Sequence, residues 1–166
     1  QVYIDDYAHH PTEISAFLES VRALYPGKKI TAIFQPHLFT RTRDFVDGFA
    51  DSLDLADEVI MMSIYPAREL PIKGITSEII LDKMKNQNKK LVEDKDLMDN
   101  VKNIETEVLL TIGAGDIDRM LGDIARDSLL RLQTGSSADA LSPAGTCGVY
   151  CGAATQHRSR AEFLTF

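Results

Sequence analysis

The sequence predicts an α/β fold: a mostly parallel sheet of about five to six strands with helices on both faces. Three observations carry this. Strand-like and helix-like stretches alternate through the first 126 residues. The strand-like stretches are β-branched and nearly unbroken in apolar character, as strands buried on both faces are. Each is followed by a loop holding polar or ring side chains, and in a parallel sheet such loops gather along one edge, where ligands bind.

The first strand runs through Val2 and Ile4 into Asp5, Asp6, Tyr7, Ala8, His9 and His10. Pro11 opens a helix, because its missing N–H costs nothing in a first turn. Ile14, Phe17, Leu18, Val21 and Leu24 continue it at helical spacing. Pro26 and Gly27 mark a turn before strand 29–34 (KITAIF). The loop from Gln35 to Thr40 leads to a helix over 41–55, with Phe45, Phe49 and Leu53 as its inner stripe. Strand 59–64 (VIMMSI) precedes a loop, Tyr65 to Glu69, closed by Pro71 and Gly74. Thr76 or Ser77 caps a helix bearing Ile79, Ile80 and Met84. A short strand over 90–92 and a brief helix from Asp94 or Asp96 to Val101 come next. Strand 107–112 (EVLLTI), the turn Gly113-Ala114-Gly115-Asp116 and a helix over 117–126 complete the pattern.

Beyond Asp127, residues 129–132 can prolong the last helix, after which the composition turns to Gly, Ser, Ala and Thr without helical or strand periodicity. Residues 1–126 are therefore expected to form the domain, and 127–166 a low-complexity, disordered or appended tail. Cys147 and Cys151 with His157 fall short of a tetrahedral zinc set. The body holds no cysteine, which fits a reducing, cytoplasmic setting. The net charge of −7 lies wholly in residues 1–126, since the tail carries three basic and three acidic groups. Such a surplus argues against a nucleic-acid surface. No apolar run reaches a membrane span of about 18 residues, and no signal-peptide pattern opens the chain. Gln1 leads directly into a strand, as in a segment cut from a longer polypeptide.

Four motifs, DDYAHHPTEI, QPHLFTRTRDF, YPARE with the following Pro71-Ile72-Lys73-Gly74, and GAGDI, give the chain a family likeness. From about residue 2 to 126 it resembles the C-terminal, Rossmann-like domain of Mur ligases, and QPHLFTRTRD is most similar to the branch that adds L-alanine. The resemblance implies part of an ATP-dependent ligase joining L-alanine to UDP-N-acetylmuramate in cytoplasmic peptidoglycan synthesis, through an acyl phosphate. It implies ATP and Mg²⁺, held mainly by a central P-loop domain, and an N-terminal domain for the UDP-sugar. No G-x-x-x-x-G-K-[ST] occurs here, so only the third domain is expected, inactive alone. Alternatives are the same domain of the muropeptide-recycling ligase, or a non-catalytic small-molecule binding module.

The resemblance also assigns roles. Asp6 would bind the ATP ribose, its other role being to cap the following helix. His9 and His10 would line the space between nucleotide and amino acid, although adjacent imidazoles cannot both face one way in extended chain. His37 and Arg41 would hold the alanine end, a guanidinium gripping an α-carboxylate in a fork. Arg43 would assist, or else pair with Asp44 or Asp47. Leu38 departs from the family, in which a basic residue is common. Tyr65, Arg68 and Glu69 would form a wall of the pocket. Gly113 and Gly115 would permit positive φ at a tight turn.

Overall fold

The computed structural model describes residues 1–134 and 150–152. Its strands are β1 (Val2–Asp6), β2 (Ile30–Gln35), β3 (Glu58–Met61), β4 (Lys89–Leu91), β5 (Val108–Gly113) and β6 (Tyr150–Gly152). They form one sheet in the order β4-β3-β2-β5-β1-β6, and every pair is parallel. The helices are α1 (Pro11–Leu24), α2 (Phe39–Asp44), α3 (Val46–Leu53), α4 (Glu78–Lys83), α5 (Asp94–Lys102) and α6 (Leu121–Thr134), with a 3-10 turn at Asp116–Arg119.

Strand alternation divides the core in two. Ile4, Phe34, Met61 and Leu110 meet Ile14, Leu18, Phe49, Leu53 and Ile80 from α1, α3 and α4. Tyr3, Ile33, Ile60 and Leu109 meet Leu97, Val101, Ile117 and Ile124 from α5 and the last helical segment. Both faces of β2 and β5 are thus dry, which is why these strands read as unbroken apolar runs.

Four expectations are corrected. The helix expected over 41–55 is two, α2 and α3, divided at Phe45, which leaves helical geometry at φ −122°, ψ 22°. Hydrogen bonds still bracket the break, Phe45 N–H to the Arg41 carbonyl and Phe49 N–H to the Phe45 carbonyl. Phe45 is not on the inner stripe: it is 43% exposed and lies edge-on against the His10 ring at 4.7 Å. Ser77 does not cap α4 with its side chain; its buried hydroxyl donates to the Met62 carbonyl at 2.6 Å. The boundary expected at Arg126 falls inside a helix, since α6 runs on to Thr134 through the 129–132 stretch that could prolong it. Tyr150–Gly152 likewise forms a strand, because the outer edge of β1 offers unpaired backbone groups that it joins. Cys147 and His157 lie outside the described residues.

Candidate functional site

The strands end in register, so the loops after β1, β2, β3 and β5 meet at one edge of the sheet. The pairing of β2 with β3 continues beyond both strands. Tyr65 N–H donates to the Pro36 carbonyl at 2.8 Å, and Leu38 N–H donates to the Tyr65 carbonyl at 2.9 Å. These bonds hold Leu38 at φ 69°, a conformation that costs a non-glycine residue about 1–3 kcal/mol. Leu38 occupies the N-cap position of α2 but has no oxygen to cap it. Glu69 supplies the cap from the next loop: its carboxylate accepts from Thr40 N–H at 3.0 Å and from the Thr40 hydroxyl at 2.5 Å. Those bonds hold the Glu69 carboxyl below its usual range. Glu69 therefore binds the protein, fixing the helix that carries Arg41.

Four rings then form a ladder across three loops. Tyr7 and His9 lie 5.6 Å apart, His9 and His37 6.1 Å, and His37 stacks on Tyr65 at 5.7 Å. Arg41 extends its guanidinium to His37 Nδ1 at 3.5 Å. Burial, the Arg41 charge and the proximity of His9 hold His37 below the usual imidazole range. Among the described residues no carboxylate pairs with Arg41. The edge thus presents a guanidinium beside a row of rings, a setting suited to an entering carboxylate.

Other expected site residues divide. Asp6 lies at the same edge, its Oδ1 accepting from Ala8 N–H at 2.7 Å; burial raises its carboxyl above the ordinary range. It does not cap α1. His10 does, Nδ1 accepting from Thr12 N–H at 3.4 Å, while Glu13 returns bonds to the N–H groups of His9 and His10. His10 thus sits at the helix entrance, apart from the ring ladder. Arg43 is drawn into a surface ion pair with Asp44 at 2.7 Å, and Arg68 is exposed on the tip next to Ala67 at φ 50°. Gly113 does adopt a positive φ, 146°. Gly115 does not; it is glycine because a Cβ there would stand 2.5 Å from Gln35 Oε1 and 2.7 Å from Tyr65 Cβ.

Residues not anticipated from the sequence support the edge. The buried Gln35 side chain accepts from Ile117 N–H at 2.8 Å and ties the last loop beneath Tyr65. Its signal was an amide side chain ending a strand that is otherwise apolar but for Thr31. Asp5, facing away from Asp6, accepts from Thr111 Oγ1 at 2.6 Å, and that oxygen also bonds Tyr3 OH at 2.8 Å. Burial first, then the charges of Asp118 and Asp6, push the Asp5 carboxyl up to about 6 against the Thr111 bond. Among the described residues, no group of three or more His, Cys, Asp or Glu is arranged to hold a metal ion. No helix among them is long and apolar enough to cross a membrane.

Fold and edge together define a parallel α/β domain whose polar loops gather at the carboxyl ends of its strands, the edge at which such folds bind ligands. Residues 1–117 match the family model of the Mur ligase, glutamate ligase domain, and the chain belongs to that family. It is 60% identical over 125 residues to the UDP-N-acetylmuramate–L-alanine ligase of Flavobacterium johnsoniae, covering 75% of this chain and 28% of that one. The Cytophaga hutchinsonii enzyme of the same name is 54% identical over 123 residues, covering 74% and 26%. The crystal structure of UDP-N-acetylmuramate-alanine ligase MurC from Thermotoga maritima superposes with a TM-score of 0.57 at 31% identity, covering 80% of this chain and 27% of that one. A murein peptide ligase from Psychrobacter arcticus shares the fold, with a TM-score of 0.58 at 17% identity over 74% of this chain and 26% of that one. The chain thus spans about a quarter of the length of these relatives.

Proposed function

We propose that this chain is the amino-acid-binding, nucleotide-closing domain of an ATP-dependent ligase that joins L-alanine to UDP-N-acetylmuramate. One observation carries the reading: Arg41, backed by His37 and held by the Glu69-capped helix, faces the loop edge without a carboxylate partner among the described residues. An amino acid brings that carboxylate, and a bidentate guanidinium pair fixes its orientation. The names of the relatives supply the choice of alanine.

Asp6 is the group in this chain suited to ATP. One oxygen is engaged by Ala8 N–H, which leaves the other to accept from a ribose hydroxyl. When bound with Mg²⁺, ATP supplies the γ-phosphoryl group that activates the acceptor carboxylate. No magnesium ligand is assigned to this chain; that task and the UDP-sugar site belong to the preceding domains. His10, Arg43 and Arg68 have peripheral parts, Tyr65 forms a wall against His37, and Glu69 positions α2. Residues 1–126 form the working unit, and the setting is the cytoplasm.

Joining this chain to the N-terminal and central domains of the Flavobacterium johnsoniae relative tests the reading. The hybrid should release phosphate from ATP only when both UDP-N-acetylmuramate and L-alanine are present. This chain alone should match the buffer blank. Turnover by the isolated chain, or a hybrid that uses another amino acid in preference to alanine, contradicts the assignment.

A further inference from the structure

The three imidazoles of the described region are held in different protonation patterns, and their partners determine which. His10 Nδ1 accepts from Thr12 N–H, so a neutral His10 carries its proton on Nε2. His37 Nδ1 faces the Arg41 guanidinium at 3.5 Å, and guanidinium can only donate, so His37 also carries its proton on Nε2. His9 is the reverse. Its Nδ1 lies 3.0 Å from the Tyr7 carbonyl, which can only accept, so the proton is on Nδ1. The Glu13 carboxylate stands 3.6 Å from the same nitrogen. Neutral His9 therefore keeps its lone pair on Nε2, and no group among the described residues donates to that atom.

A carbonyl and a carboxylate behind one ring nitrogen, with the other nitrogen open, is the arrangement that orients an imidazole as a proton acceptor. Glu13 favours the imidazolium that would form. Glu13 is itself fixed, bonded by the backbone N–H groups of both His9 and His10, and those bonds hold its carboxyl below the ordinary range. The groups around His9 are Tyr7 on its own loop, Glu13 on α1, and His37 across the edge, with Arg41 beyond His37. His37, held neutral, adds no positive charge opposing the transfer.

We propose that His9 is the base that takes a proton from the ammonium of the incoming amino acid, and that His37 is a neutral Nε2–H donor. This rests on the ligase reading above. An amino acid arrives as its ammonium, whose nitrogen has no lone pair with which to attack. His9 Nε2 accepts one N–H proton and becomes imidazolium, freeing the amine. The amine nitrogen then forms a bond to the acyl-phosphate carbon as the bond from that carbon to the phosphate oxygen breaks. The second N–H proton leaves with the phosphate, and the imidazolium returns its proton to water.

Two measurements test this. Long-range nitrogen–proton correlation spectra of this chain, with ¹⁵N in the imidazoles, report the tautomers directly. His9 should appear as the Nδ1–H form at high pH, and His37 and His10 as Nε2–H forms. His9 in the Nε2–H form overturns the proposal whatever the activity shows. In the hybrid ligase, hydroxylamine replaces alanine as a nucleophile that is already neutral at pH 7 and traps the acyl phosphate as hydroxamate. His9→Asn keeps a donor for the Tyr7 carbonyl but removes the base. Alanine ligation should fall by about 100-fold or more, the usual worth of a positioned base. Hydroxamate formation should stay within about twofold of the unsubstituted hybrid. A parallel loss of both activities, or of neither, overturns the role of His9. An unsubstituted hybrid that makes neither product overturns the ligase reading and the proposal with it.

Discussion

The two edges of the sheet are built on opposite principles. At the amino-terminal edge the cations Arg22, Lys28 and Lys29 are each answered by a carboxylate. Arg22 pairs with Asp57 at 3.0 Å and donates to the carbonyls of Lys28 and Leu55. Asp57 also receives Ile30 N–H at 2.7 Å, Lys28 meets Glu107 at 2.6 Å, and Lys29 meets Glu58 at 2.8 Å. These groups close turns and start strands. At the carboxyl edge, Arg41 and the rings of His9, His37 and Tyr65 face one another, and the nearby carboxylate of Glu69 is committed to Thr40. One edge is satisfied by the fold; the other leaves the Arg41 cation without a carboxylate partner among the described residues. Substitutions at the first should change stability alone, and substitutions at the second should change chemistry.

The largest stability effect is expected where the carboxyl edge depends on backbone approach. Gly115→Ala inserts a Cβ between Gln35 and Tyr65, and urea unfolding should show a loss of about 2–3 kcal/mol, an overpacking cost. A loss too small to measure would mean that the loop is free to move away. Asp57→Ala strands the buried Ile30 N–H and the Arg22 charge, and should cost about 1–2 kcal/mol. In the hybrid its KM for alanine and for ATP should stay unchanged; a shift in either blurs the division between the edges.

Asp5→Asn should stabilise the chain at pH 8. The Asp5 carboxyl is raised to about 6 in the fold from an ordinary value of 3.8. Between those values the folded state holds a proton that the unfolded state has lost, so stability falls as pH rises through that window and stays lower above it. After discounting for partial exposure, the gain should be about 1 kcal/mol at pH 8, and it should vanish below pH 4. An equal gain at both pH values would assign the effect to packing. The smallest effect is local: Glu69→Ala should speed hydrogen exchange of the Thr40 amide by about tenfold, with the β2 and β5 amides unchanged. Unaltered exchange at Thr40 would remove the borrowed cap from the account.

Much of the fold was legible because strands buried on both faces carry few polar positions to disguise them. The apolar runs of β2 and β5 lie where their pattern implied, and Ile14, Leu18 and Val21 form the buried face of α1; β3 ends at Met61, short of the expected Ile64, and Leu24 is 67% exposed. The break at Phe45 was not legible, because the hydrogen bonding resumes across it and no Gly or Pro marks it. Leu38 at positive φ was hidden for a related reason: the loops of β2 and β3 impose that conformation, and a leucine does not advertise it. In the site, the residue types were visible, and so was Asp44 as one possible partner of Arg43, but the other partners were not. Glu69 was expected on the pocket wall, yet it caps a helix that lies 29 positions away in sequence. Arg43 and Arg41 look alike in the sequence; only the neighbour Asp44 and the ring of His37 separate them.

The central claim is that the carboxyl edge receives an amino-acid carboxylate through Arg41 and a nucleotide through Asp6. The most direct measurement is the pair of substitutions Arg41→Ala and Asp6→Ala in the hybrid ligase, each assayed for both substrates. Losing one charge-assisted hydrogen bond of about 1.5–3 kcal/mol should lower kcat/KM for alanine roughly 10- to 150-fold in Arg41→Ala, with the KM for ATP held. Asp6→Ala should show the opposite bias, raising the KM for ATP and sparing alanine. Misfolding would damage both substrates together in both variants, so opposite biases can come only from the two sites. An Arg41→Ala hybrid with unchanged alanine kinetics and a raised KM for ATP would contradict the account.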